Sequence, residues 1–348
     1  MANLRLVRQA NTAVREQRPN LVAVFVGGTS GIGEATAKEL VKTARSPTIY
    51  IIGRNQEAGS SILADCRALN PHGSYEFIMS DVSLLREVDA ACREIQRKEP
   101  VVDLLFMTPG HLATGKSGMD EKSPPLPYPE LTKGIDTPEG LDNNHVLRYY
   151  ARMRFIYNLL PQLQAAEHPA RVLTVLAAGK EGQIDEDNFD LQANWSFTTA
   201  ASYAATMNSL AMEYLALQYT SISFIHVFPG LVRTSLMKSS FGSLVGFAIG
   251  LVTRPLSVSA QESGERNVFL ATSMAYPPMA YAGDARKDGL DVAIASTGRA
   301  GGGSYLVNFD GTDATNQTLM ADYRQRGYPK KLWEHTLHVF QRVIGSES

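Results

Sequence analysis

The chain has 348 residues, 44% hydrophobic and 20% charged, which is enough apolar material for a full core in one large domain or two modest ones. A formal net charge of −2 leaves no basic excess for nucleic acid to exploit. Only two cysteines occur, Cys66 and Cys92, far apart in helix-like segments. That excludes a disulfide framework and a metal-ligand cluster, and it fits a reducing, cytoplasmic compartment.

Residues 1–20 carry Arg5, Arg8, Arg15 and Arg18 but no apolar run, so they are not a secretory signal. Glu16 and the scarcity of serine count against a mitochondrial presequence. Leu4, Val7, Asn11 and Val14 sit at helical spacing, which predicts a short amphipathic helix packed on the domain. No segment reaches the ~18 apolar residues a membrane span needs.

Residue 21 onward reads as alternating strands and helices. The apolar run 21–26 suits a parallel strand covered on both faces. Helical periodicity over 32–44 follows, then a β-branched strand at 48–52. A helix over 55–69, a strand at 75–79, a helix over 83–98 capped by Ser83, and a strand at 101–107 come next. Residues 110–137 are rich in proline and glycine and read as a long loop. Thr137-Pro138-Glu139 predicts a helix start, with the helix running through Leu163. Strands at 171–176, 222–228 and 304–308, and a helix over 201–218, complete the pattern. Strand–helix repeats of this kind predict a doubly wound α/β fold, a Rossmann-type parallel sheet with helices on both faces. No linker divides the chain. Residues 1–20 read as an extension and 21–348 as a single domain, with a substrate lid at about 235–300 and a helical tail at 309–348.

The strongest local signal is Val26-Gly27-Gly28-Thr29-Ser30-Gly31-Ile32-Gly33, between the first strand and the first helix that follows it. Gly27 permits a sharp turn, Gly31 lets the backbone approach a pyrophosphate, and Gly33 allows close helix–strand contact. The helix N-terminus then turns unpaired amides and its dipole toward the phosphates.

The spacing Gly-x-x-x-Gly-Ile-Gly resembles that of the short-chain dehydrogenases/reductases, and other features extend the resemblance from about residue 21 to 234. Asp81-Val82 is similar to the family's adenine-contacting pair, although Asp81 also reads as a simple cap. Gly110 ends the stretch after the fourth strand. Pro229-Gly230-Leu231-Val232-Arg233-Thr234 resembles the family's segment bordering the nicotinamide. The loop residues Asn188-Phe189-Asp190-Leu191 resemble those of the retinol-dehydrogenase-like branch. The resemblance places Thr29, Ser30 and Ile32 with the three glycines at the cofactor. It puts Arg54, just past the second strand, near the adenosine ribose. A guanidinium there suits a 2′-phosphate, and Gly53-Arg54-Asn55 offers no carboxylate for free ribose hydroxyls, so NADP (NADPH) is expected over NAD. A solvated strand-end arginine is the alternative.

The family's catalytic serine, tyrosine, lysine and asparagine are mostly missing. Tyr203 matches the tyrosine, but Met207 stands four residues on, Ala177 occupies the serine position, and Arg148 falls near the asparagine position. An unassisted phenol, with a pKa near ~10, is a poor acid or base at neutral pH. Lys180 and His111 are candidates to supply the missing chemistry, each equally readable as a solvated loop residue. Ser202 and Thr206 read mainly as packing or back-bonding hydroxyls.

Residues 235–253 lose all charge between Lys238 and Arg254 and include Phe241, Leu244, Phe247 and Ile249. Such a stretch suits a cover over a bulky apolar ligand. The tail, with Trp333-Glu334-His335-Thr336, resembles the ends of fungal family members from specialised-metabolite pathways. The sequence therefore leads to an NADP(H)-dependent oxidoreductase of a hydrophobic small molecule with a non-standard proton relay. A non-redox isomerase, dehydratase or cyclase and a non-catalytic cofactor-binding scaffold remain open beside it. The resemblance also implies a homodimer, because family members often pair through the helices corresponding to 138–163 and 201–218.

Overall fold

A computed structural model describes residues 3–110, 137–232, 257–283 and 291–345. Seven strands form one sheet: β1 (Val22–Val26), β2 (Thr48–Gly53), β3 (Ser74–Met79), β4 (Leu104–Met107), β5 (Ala170–Val175), β6 (Ile222–Phe228) and β7 (Ser304–Asn308). Their order is β3-β2-β1-β4-β5-β6-β7, and every pairing is parallel. All seven expected strands are present. β4 starts at Leu104 rather than 101, because the Val102 N–H is taken by the Gln162 carbonyl at 3.1 Å. The order reverses between β1 and β4, which opens a crevice at the carboxyl ends of those strands, where such sheets bind ligands.

Along β1, Val22, Val24 and Val26 enter one core while Ala23 and Phe25 enter the other. The second core is covered by α1 (Leu4–Gln17), α2 (Gly31–Thr43), α3 (Gln56–Leu69) and α7 (Ala260–Thr272). The first is covered by α4 (Leu85–Lys98), α5 (Ala151–Gln164), α6 (Phe197–Gln218), α8 (Gln317–Gln325) and α9 (Tyr328–Ile344). Cys66 and Cys92 are buried on opposite faces of the sheet.

The amphipathic reading of the N-terminus holds. α1 buries Val7, Asn11 and Val14, and Asn11 Nδ2 donates to the Glu265 carbonyl of α7 at 2.8 Å. Of the stretch 235–300 expected as a lid, Ala260–Thr272 is instead a helix of the inner layer. A Cβ on Gly264 would stand 2.6 Å from the Ala35 carbonyl oxygen, so α7 and α2 touch backbone to backbone. Residues 233–256 lie outside the described residues.

Two expected helix starts are corrected. Thr137-Pro138-Glu139 is a turn, closed by Gly140 N–H on the Thr137 carbonyl at 2.8 Å. The helix begins at Asn143, capped by Asp142, which accepts the His145 N–H at 2.8 Å. It passes through a π-helical turn at Val146–Tyr150 into α5. Ser83 does not cap α4, because its hydroxyl is spent on Asp81 Oδ1 at 2.8 Å. Glu139 does so instead, accepting from Leu85 N–H at 2.6 Å and Arg86 N–H at 3.0 Å. A carboxylate remote in sequence thus meets the orphan amides and positive dipole end of α4.

The tail is helical as expected, and α9 lies across α5 and α6. Trp333 meets Tyr157 and Tyr214, Tyr149 and Thr336 share a hydrogen bond of 2.6 Å, and His335 Nε2 lies 3.1 Å from Asp190 Oδ1.

Candidate active site

The turn from β1 into α2 has the geometry a phosphate cradle needs. Gly27 and Gly31 lie at φ +84° and +61°, left-handed backbone that disfavours any side chain. A Cβ on Gly33 would be 2.4 Å from the Gly27 carbonyl oxygen. Ser30 is extended and its side chain makes no capping bond, so no side chain of that residue takes the first-turn amides of α2. Thr29 packs its methyl under Gly53, Ile32 packs on the core below, and Thr108 Oγ1 braces the turn by donating to the Gly27 carbonyl at 3.0 Å.

Other expected cofactor residues surround this crevice. Arg54 is exposed just past β2, and Val82 is buried just past β3. Asp81 turns into its own loop, accepting from Ser83 N–H and Oγ, the simple-cap alternative. Gly110 ends β4's loop at φ +151° and faces the Arg148 Cγ. Pro229 and Gly230 follow β6. Gly230 takes φ +68°, and Val232 is buried in a bridge to Val258. His111 and Thr234 lie outside the described residues.

Of the expected catalytic residues, the two that are described, Tyr203 and Lys180, have different neighbours. Tyr203 is buried, and its hydroxyl accepts the Asp185 N–H at 2.9 Å, which anchors the loop after β5. Lys180 is exposed, with its ammonium 5.1 Å from the centroid of the Phe228 ring at the end of β6. Met207 is fully buried. Thr206 back-bonds to the Ser202 carbonyl and also accepts the Gly182 N–H at 2.9 Å. Asp142, Asn144, His145, Arg148, Trp195 and Ala200 line a cleft of about 10 Å³, room for one water.

Two arginines one turn apart put positive charge beneath this edge. Arg148 is buried, and burial lowers its pKa against the pull of Asp142. Arg152 is fully buried and bonds the carbonyls of Met107 (3.3 Å), Pro109 (2.5 Å) and Val175 (3.1 Å), together with the Thr174 hydroxyl. Its guanidinium joins the ends of β4 and β5. Burial first, and the charge of Arg148 second, lower its pKa to about 9, which leaves it a cation at neutral pH.

A buried polar chain at the ends of β5 and β6 is the feature sequence reasoning missed. The Ala177 N–H donates to His226 Nε2 at 3.0 Å. His226 Nδ1 is 2.9 Å from Ser209 Oγ, and Ser209 Oγ is 2.7 Å from Glu181 Oε1. The Gly179 N–H also donates to Glu181 Oε1, at 3.2 Å. Because a backbone amide only donates, Nε2 is the bare nitrogen and the proton sits on Nδ1. Burial, with Arg152 adding, pushes the imidazole pKa down to about 3, so the ring is neutral. Burial pushes the Glu181 carboxyl up. The available signal was a lone histidine inside the apolar strand 222–228.

A family model described as short chain dehydrogenase matches residues 21–124. The chain is 43% identical to "Oxidoreductase andH" of Emericella variicolor, covering 99% of both chains. It is 30% identical to "Short-chain dehydrogenase/reductase SAT2" of Stachybotrys chartarum, covering 99% of this chain and 98% of that one. Among solved structures, a Pseudomonas aeruginosa RhlG/NADP active-site complex shares the fold at TM-score 0.55 and 18% identity, over 74% of this chain and 92% of that one. The chain belongs to the short-chain dehydrogenase/reductase family and is an oxidoreductase by class. Among the described residues no helix is long and apolar enough to cross a membrane.

Proposed function

We propose that this protein is an NADP(H)-dependent oxidoreductase of a bulky hydrophobic small molecule, working in specialised metabolite biosynthesis with a proton relay unlike that of its family. The observation that carries the reading is the turn from Gly27 to Gly33, with Gly27 and Gly31 in left-handed backbone and Gly33 too close to the Gly27 carbonyl to carry a Cβ. The residues present fit a dinucleotide. The turn and the N-terminus of α2 would hold its phosphates, Arg54 would hold a 2′-phosphate, and Pro229 to Val232 would lie toward the nicotinamide. NADP(H), when bound, supplies or accepts the hydride. The biosynthetic role rests on full-length similarity to the fungal proteins named above.

The relay departs from the family because Ala177 has no hydroxyl and Met207 no charge to lower a tyrosine's pKa. Positive charge fixed at Arg148 and Arg152 favours an oxygen that gains negative charge above them, in a site of low dielectric. The apolar stretch 235–253 gives the substrate its class.

Titration of the protein with NADPH and NADH, followed by nicotinamide fluorescence, tests the reading. Tighter binding of NADPH, and its consumption with apolar ketones, is the expected result. Absence of binding at millimolar cofactor overturns it.

A further inference from the structure

Arg152 is the second residue of α5, just past the π-helical turn, and its side chain is held at base and tip. In the wider turn the Ala151 N–H reaches back to the Val146 carbonyl, and the Leu147 carbonyl accepts the Arg152 Nε at 3.2 Å. At the tip, Nη1 donates to the Met107 carbonyl at 3.3 Å and Nη2 to the Pro109 carbonyl at 2.5 Å. One guanidinium thus holds the peptide oxygens on both sides of Thr108. The Thr174 hydroxyl and the Val175 carbonyl tie the same fork to β5.

Thr108 is where β4 meets the glycine turn. Its N–H donates to the Val26 carbonyl at 2.9 Å, and its hydroxyl donates to the Gly27 carbonyl at 3.0 Å. A Cβ on Gly27 would stand 2.7 Å from that hydroxyl and 3.3 Å from the Pro109 nitrogen, so the two segments touch. The Gly27 carbonyl is also the oxygen on which Gly33 closes. The turn needs such a lock, because neither Gly27 nor Gly28 has a side chain to restrict the peptide between them. Peptide planarity sets the Gly28 N–H opposite the Gly27 carbonyl. A rotated peptide would therefore turn an oxygen, which repels an anion, to the side where an N–H stood. Pro109 has no N–H through which the chain after Thr108 could be fixed, and Arg152 takes its carbonyl instead.

We propose that Arg152 is the positioning residue of the phosphate turn and acts through Thr108. By fixing the Met107 and Pro109 carbonyls it keeps the Thr108 hydroxyl on the Gly27 carbonyl, and so keeps the turn shaped for the pyrophosphate of a dinucleotide. This role presupposes the cofactor reading above. It also gives the π-helical turn a part in the site, since Leu147 anchors the side chain that reaches the neighbours of Thr108. A lysine could not replace it. One ammonium keeps the charge, but a single nitrogen does not span Leu147, Met107 and Pro109 as the planar fork does.

Fluorescence titration with NADPH and NADH tests the role. The pyrophosphate is common to both cofactors, so Thr108→Val and Arg152→Lys should each weaken both alike, by roughly three- to tenfold, the worth of one hydrogen bond. Thr108→Ser keeps the hydroxyl and should bind as the wild type does. The double variant, Thr108→Val with Arg152→Lys, should bind no more weakly than the poorer single variant, because both act through one bond. Asp89→Ala loosens α5 from α4 without touching Thr108, so it should melt earlier yet keep the wild-type affinity. Should Arg152→Lys fail to fold, Thr108→Val decides, since an unchanged affinity there leaves Arg152 nothing to act through. Unchanged affinity in Thr108→Val, a loss confined to NADPH, or losses that multiply in the double variant overturns the proposal. So does an equal loss in Thr108→Ser or in Asp89→Ala. A wild type that binds neither cofactor sinks the cofactor reading itself, a result distinct from a wild type that binds and variants that match it.

Discussion

Gly33 packs so closely on Gly27 that a methyl group at position 33 would stand 2.4 Å from the Gly27 carbonyl oxygen. Backbone, unlike the far end of a side chain, cannot step aside. Gly33→Ala should therefore separate α2 from β1, cost about 2 kcal/mol or more, and abolish NADPH binding. Thermal denaturation and fluorescence titration of the variant check both effects. A variant that bound NADPH normally would show that the cradle is not the phosphate site.

Arg54 stands exposed beyond β2 with no carboxylate in Gly53-Arg54-Asn55. Charge-assisted hydrogen bonds to a phosphate are worth about 1.5–3 kcal/mol. Arg54→Ala should weaken NADPH roughly ten- to hundredfold and leave NADH nearly unchanged. Equal losses for both cofactors would place the 2′-phosphate elsewhere.

The strands and the glycine turn were legible because each is written in consecutive residues: 21–26, 48–52 and the run from Gly27 to Gly33. What was not legible depends on contacts between distant positions. Thr137-Pro138 has the chemistry of a helix start, yet Glu139 is needed at the N-terminus of α4, and the chain turns there instead. Ser83 fails as a cap through a local contact instead, because its hydroxyl donates to Asp81 two residues earlier. Glu181, Ser209 and His226 lie on a loop, a helix and a strand, so no local pattern joins them. Tyr203 was singled out by spacing, which cannot reveal that its hydroxyl also accepts the Asp185 N–H.

His145 is buried in the turn that leads into α5, and its Nε2–H donates to the Phe189 carbonyl at 3.1 Å. Burial lowers its pKa to about 4 from 6.5. The unfolded chain therefore binds this proton first, so stability falls as pH drops from 6.5 toward 4, by about 3 kcal/mol for this group. Asp190, held low by His335, acts in the same direction, while Asp103, Glu181 and Glu213, raised by burial, oppose it. His145→Gln keeps a donor for Phe189 and should flatten the fall in urea midpoint over that window. An unchanged slope would mean that His145 is not neutral in the native state.

Arg154 and Asp89 form a two-point ion pair, Nε to Oδ1 at 2.6 Å and NH2 to Oδ2 at 2.7 Å, which ties α5 to α4. Asn158 adds a third bond to Asp89 Oδ1 at 2.7 Å. Both ion-pair partners are largely buried, so Asp89→Ala leaves a guanidinium without its carboxylate, at a cost of about 3 kcal/mol. Removing both, in Asp89→Ala with Arg154→Met, should recover much of that loss in chemical denaturation. Purely additive losses would show that the pair is not coupled.

α9 covers α5 and α6 with the chain's own tail, on the surface through which relatives were expected to pair. A subunit leaves such a face on dilution, but a tethered helix is always present at an effective concentration fixed by its connection. The packing around Tyr149 and Tyr157 is thus supplied by the chain itself, whatever else meets that face.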